Sequence, residues 1–173
     1  NLDFLKKNIE STKSSNIQSV SCSEFNDFKK IFLSYSVNTD FDNSNFLFVW
    51  PSPEVVSESF IFLKNFNSFD HEIFYKDLHN YLKKIKELSN KFHAILLPLL
   101  TPFDELGNLG VGNMDNKVGY NNFIYKANSF LIENLSEIKN VYLIDSFSWF
   151  SQCKNPLDFK LWLRGKIPFS IEM

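Results

Sequence analysis

The run Ala94-Ile95-Leu96-Leu97, closed by Pro98, decides the fold. No polar residue interrupts it, so it reads as a strand covered on both faces, as strands of a parallel sheet between helices are. Two more runs have the same character, Phe46-Leu47-Phe48-Val49-Trp50 upstream and Val141-Tyr142-Leu143-Ile144 downstream. Residues 17–22 form a weaker and more polar fourth candidate, suited to a sheet edge. Helical spacing fills the intervals. Phe74, Leu78, Tyr81, Leu82, Ile85 and Leu88 recur at three and four, which predicts one buried stripe on a helix of about five turns. Asp70 is placed to cap that helix or to favour its positive end. Phe123, Ala127, Phe130, Leu131 and Leu135 repeat the pattern before the third run, and Phe25, Phe28, Phe32 and Leu33 repeat it before the first. Helix alternating with strand predicts an α/β domain, three-layered and doubly wound on a mostly parallel sheet with right-handed crossovers.

At 173 residues the chain is one domain by length, spanning residues 1–173 and large enough to bury a core without staples. Cys22 and Cys153 lie far apart with no metal-type spacing, so a reducing, cytoplasmic setting is expected. The formal net charge of -2, from 18 basic and 20 acidic residues without a block of one sign, argues against nucleic acid as a partner. Asn1-Leu2-Asp3-Phe4-Leu5 lacks the apolar core of a signal peptide, and the longest apolar run, residues 94–100, is broken by Pro98 and too short for a bilayer. No membrane segment is expected. With 20 Phe against 5 Gly, an exposed Phe is weak as a functional signal.

In open parallel sheets, sites collect at the carboxyl ends of strands. Pro51 and Pro53 follow the first run, Pro98 and Pro102 bracket the end of the second, and residues 101–120 form a connection longer than usual, containing Gly107, Gly110, Gly112 and Gly119. Gly110, Gly112 and Asn113 are candidate binding residues whose backbone amides could receive an anion. They lack the lysine of a phosphate-binding loop, and no strand feeds them into a helix, so a mobile loop is the alternative. Asp145, ending the third run, is the best-placed carboxylate. Capping of the next helix through Asp145 or Ser146 accounts for it equally well. The segment His71-Glu72-Ile73-Phe74-Tyr75 opens like a zinc-protease helix but carries Tyr75 where the second ligand belongs. His79 is two turns on, and His93 precedes the second strand, so no metal set is expected. The aromatic segments Trp50-Pro51-Ser52-Pro53 and Phe147-Ser148-Trp149-Phe150 follow strand ends and suit core or contact.

The tail Leu157-Asp158-Phe159-Lys160-Leu161-Trp162-Leu163-Arg164-Gly165-Lys166-Ile167-Pro168-Phe169-Ser170-Ile171-Glu172, together with Pro51, Pro98, Pro102, Asn128 and Asp145 in this order of elements, resembles the N-terminal SGNH-hydrolase-like domain of FkbH-like proteins. The resemblance implies an SGNH or flavodoxin-like fold preceding a HAD-type domain. The whole protein would load a glyceryl group from a phosphorylated three-carbon glycerate onto an acyl carrier protein, in polyketide or nonribosomal-peptide-type biosynthesis. Mg²⁺ would belong to the HAD domain, and no cofactor is implied for this one. SGNH enzymes need a serine in Gly-Asp-Ser, an asparagine in Gly-Xaa-Asn-Asp and an Asp-Xaa-Xaa-His pair. This chain has no Gly-Asp-Ser, has Trp50-Pro51-Ser52-Pro53 at the second place, and has Asp158-Phe159-Lys160-Leu161 at the third. Leu161 offers no base for the serine proton, which implies a non-catalytic domain.

The family's first strand normally precedes its first helix, whereas this chain opens on Leu2-Asp3-Phe4-Leu5. A domain short of that strand is implied, with another segment in the central position or a different strand order. Lys160, Arg164 and Lys166 could meet the acidic helices of a carrier protein, or complement a helix dipole. The expected function is docking or scaffolding for a HAD-type partner and a carrier protein. The alternatives are an esterase or acyl transferase with an unconventional site of Asp145, the glycine loop and Asp158, and a plain interaction module of a synthase.

Overall fold

The computed structural model describes residues 46–65, 67–101 and 110–154, together with Lys7 and Ser11. From residue 46 onward the elements are β1 (Phe46–Phe48), α1 (Pro53–Val56), α2 (Ser59–Lys64), α3 (His71–Ser89), β2 (Ala94–Pro98), a 3₁₀ turn (Gly110–Met114), α4 (Tyr120–Leu135), β3 (Val141–Ile144) and α5 (Ser146–Gln152). The strands form one parallel sheet in the order β1-β2-β3. Phe46 pairs with Ala94 and Phe48 with Leu96, while Ile95 pairs with Val141 and Pro98 with Ile144. All three apolar runs are therefore strands, and the fold is α/β.

The long helix α3 forms where its spacing predicts. Phe74, Leu78, Tyr81, Ile85 and Leu88 are buried along one stripe, and Asp70 caps the helix by accepting from the Glu72 amide at 2.8 Å. In α4, Phe123, Ala127, Leu131 and Leu135 are buried by the same logic. These stripes meet Leu47, Val49, Ile95, Leu97, Val141 and Leu143 of the strands in one core. Phe60 of α2 is fully buried and meets Phe74 and Tyr120 edge-on, which fastens α2 to both long helices. Burying a side chain of this size stabilises by roughly 2 kcal/mol relative to leaving it exposed.

The coarse expectation, an α/β domain on a parallel sheet, is met, while its finer part, three layers and a doubly wound order, falls partly outside the described residues. The strands are not covered on both faces among the described residues. Side chains at 47, 95, 97, 141 and 143 face the helices, whereas Phe46, Phe48 and Tyr142 are 68, 50 and 53 % exposed on the other face. The physical reason is topology: two successive crossovers in one direction with one hand place both helices on the same side, and α3 and α4 accordingly touch. The three described strands are contiguous, β1 and β3 both hydrogen-bonding to β2 directly, and the place of any earlier strand lies outside the described residues. The third layer and the reversal of strand order that define a doubly wound sheet are not seen among them. The weaker strand at 17–22 and the helix through Phe25, Phe28, Phe32 and Leu33 lie outside the described residues.

Candidate functional site

The carboxyl edge of the sheet is assembled from segments that follow each strand. After β1 the chain turns through Trp50 and Pro51, and Pro53 starts α1, where its missing amide costs nothing and its fixed φ suits the first turn. After β2 it runs on through Leu99, Leu100 and Thr101. Here the polar side chains of neighbouring helices hold the backbone. Asn128 of α4 is buried, accepts from the Leu100 amide through Oδ1 at 2.8 Å and donates from Nδ2 to the Leu100 carbonyl at 2.9 Å. Ser146 donates to the Leu99 carbonyl at 2.8 Å. This satisfies backbone groups at a point where the strand has ended and the ladder can no longer do so.

Asp145 is brought to this edge, as its position predicts, and its carboxylate accepts from the Ser148 amide at 3.2 Å, so it caps α5. Gly110, Gly112 and Asn113 fall in the 3₁₀ turn, which packs against α4. Gly119 sits where a Cβ would lie 2.5 Å from backbone atoms of Asp115, so only glycine fits there. The oxygens Thr101 Oγ1 and Asn113 Oδ1 are buried without a hydrogen-bond partner among the described residues, a costly arrangement. Asp158, Lys160, Arg164 and Lys166 lie outside the described residues, as does Gly107.

Beside this edge a cavity of about 560 Å³ opens between α1, α2 and the start of α3. Among its polar lining, which includes Glu58, Asp70 and Asp77, Ser57 is buried at 2 % exposure, and its hydroxyl donates to Asp77 Oδ2 at 2.8 Å and accepts from the Ser59 amide at 3.2 Å. Sequence reasoning missed this pair, since twenty residues separate its members and no motif announces them. No histidine lines the cavity, and a carboxylate alone does not deprotonate an alcohol near neutral pH.

The histidines hold other places. His71 stacks on Phe69 at 5.0 Å and meets Phe123 edge-on. His79 donates from Nδ1 to the Tyr75 carbonyl at 2.8 Å and meets Phe130. His93 is exposed ahead of β2, at the opposite end of the sheet. Among the described residues no group of three or more His, Cys, Asp or Glu side chains is placed to hold a metal ion, and no helix is long and apolar enough to cross a membrane. No family model, curated protein or solved structure matches the chain.

Proposed function

We propose that this chain is a non-catalytic SGNH-like domain that docks partners for a HAD-type glyceryl or acyl transferase in polyketide or nonribosomal-peptide-type biosynthesis. The observation that supports this best is the use made of polar side chains at the carboxyl edge. Asn128, Ser146 and Asp145 all serve backbone groups, holding the edge in shape, and Asp145 is the carboxylate an unconventional site would have needed. Neither Ser57 nor Ser146 has an imidazole among the partners its hydroxyl meets. The distinctive tail, with Leu161 where an SGNH base would stand, points the same way. Fold likeness alone carries no activity, so the reading rests on these residues.

In this reading the domain positions a HAD-type partner and offers a carrier protein the cations Lys160, Arg164 and Lys166, in a cytoplasmic setting. The test pairs a hydrolysis screen with a binding measurement. Purified chain incubated with p-nitrophenyl acetate and butyrate should show no turnover that Asp145→Ala or Asp158→Ala removes. Titration with an acyl carrier protein in a calorimeter should show binding that weakens with added salt and with Lys160→Glu. Turnover abolished by either aspartate substitution would establish the esterase alternative and end the docking proposal. Absence of binding would end it too.

A further inference from the structure

The cavity between α1, α2 and the start of α3 combines two kinds of wall. One is apolar, built from Phe62, Phe69 and Ile73, and Phe62 and Ile73 are still 49 and 53 % exposed although they line a concave surface of about 560 Å³. The other is acidic. Its ionisable side chains are Glu58, Asp70 and Asp77, and no lysine, arginine or histidine is among the lining. Asp70 and Asp77 flank Ile73 on α3, three positions before it and four after, so all three share one face of the helix. Seven positions set the two aspartates roughly 10 Å apart along the helix axis. Each carboxylate is oriented by one bond, Asp70 by the Glu72 amide and Asp77 by the Ser57 hydroxyl, both at 2.8 Å. Neither is in an ion pair among the described residues.

We propose that this cavity binds an aliphatic diamine, its chain lying over Ile73, Phe62 and Phe69 with one ammonium at Asp70 and the other at Asp77. A volume of this size falls in the ordinary range of small-molecule sites, about 300–1,000 Å³. The ligand's chain removes exposed apolar surface from water, and each ammonium donates to carboxylate lone pairs that one hydrogen bond leaves over. Other ligand classes answer only one wall. A metal ion does not suit acids this dispersed, since no group of three among the described residues is placed to hold one. A neutral apolar molecule would leave both carboxylates without a partner, and an anion would be repelled. The positive end of α3, equivalent to about half a unit charge, is outweighed by Asp70 alone, so the cavity keeps its negative sign. Binding of this kind is independent of the docking role proposed above.

Titration calorimetry of the full chain with diaminooctane, at neutral pH and low salt, tests the proposal. Saturable binding of one molecule per chain is expected, about tenfold weaker in Asp70→Asn and again in Asp77→Asn, through the loss of one charged partner. Asparagine keeps an acceptor for the Glu72 amide in the first variant and for the Ser57 hydroxyl in the second, so the fold is retained. Octanediol and suberate, which match the chain length without the positive charge, should not bind. Absence of diaminooctane binding, binding that either substitution leaves unchanged, or equal binding of octanediol would overturn the proposal. Should a variant fail to fold, amide shifts of the unsubstituted chain decide the matter. Diaminooctane should move the Ser57, Ser59, Ile73 and Asp77 amides, and shifts confined to other surfaces would overturn the proposal.

Discussion

At the scale of single residues, this domain depends on asparagines that replace backbone partners. Asn128 answers both backbone groups of Leu100 across twenty-eight positions. Asn140, just before β3, donates to the Ser89 and Phe92 carbonyls and so ties the end of α3 to the sheet. Replacing Asn128 by alanine leaves a buried amide and a buried carbonyl unpaired, and should cost about 3 kcal/mol, read as a lower urea midpoint. Thr101 is the reverse case. Its hydroxyl is buried and unpaired, so Thr101→Val removes a desolvated group without losing a bond and should raise stability by about 1 kcal/mol in the same assay. Loss of stability in Thr101→Val would show that the hydroxyl has a partner in solution. The sequence marked Asp145 as a carboxylate or cap candidate, and Asn128 only as a member of a pattern. That Asn128 serves Leu100, rather than a ligand, depends on a loop and a helix meeting in space.

Elements differ in how locally they are determined. Helix α3 carries its own instructions, with an N-cap at Asp70, an apolar stripe at regular spacing and charged residues elsewhere on the surface. Leu78, fully buried in the middle of that stripe, should cost about 3 kcal/mol as alanine, through lost burial and the cavity left behind, measured by denaturant unfolding. The turn between the 3₁₀ segment and α4 is instead organised by Asp115, whose Oδ1 accepts from the Lys117 amide at 2.7 Å and the Val118 amide at 3.0 Å. Those two bonds, the Lys117 amide foremost, hold its carboxyl below the ordinary aspartate value. A depressed folded value means that its contribution is complete above the ordinary unfolded value of about 3.9 and is lost as pH falls through the lower folded one. Amide shifts of Lys117 and Val118 should therefore titrate below the ordinary aspartate value. Asp115→Asn, which keeps the acceptor and removes the charge, should flatten that profile. The short helices α1 and α2 left no comparable trace in the sequence reading, because four and six residues are too few to show a period.

For the molecule as a whole, the sheet sets the order of stability. Strand β2 is paired on both sides and its Ile95 and Leu97 are buried at 0 and 2 % exposure, whereas β1 and β3 each pair with β2 alone among the described strands. Native-state hydrogen exchange should find the slowest strand amides in β2, with β1 opening first because it is the shortest strand and Phe46 is its most exposed side chain. Equal protection across the three strands would point to a further element paired along the outer edges. The sequence by itself determined the α/β class, the three strands and the two long helices, and it offered Asp70 and Asp145 as caps beside other roles. Each of these is written in contacts within a few positions, where period and capping chemistry act directly. Only the tertiary structure decided that the strands run β1-β2-β3 and that both crossover helices share one face. It also decided that Ser57 meets Asp77 and that Asn128 closes on Leu100. Those outcomes join residues twenty or more positions apart, and local pattern carries no information about which distant groups the packing of a core will bring within hydrogen-bond reach.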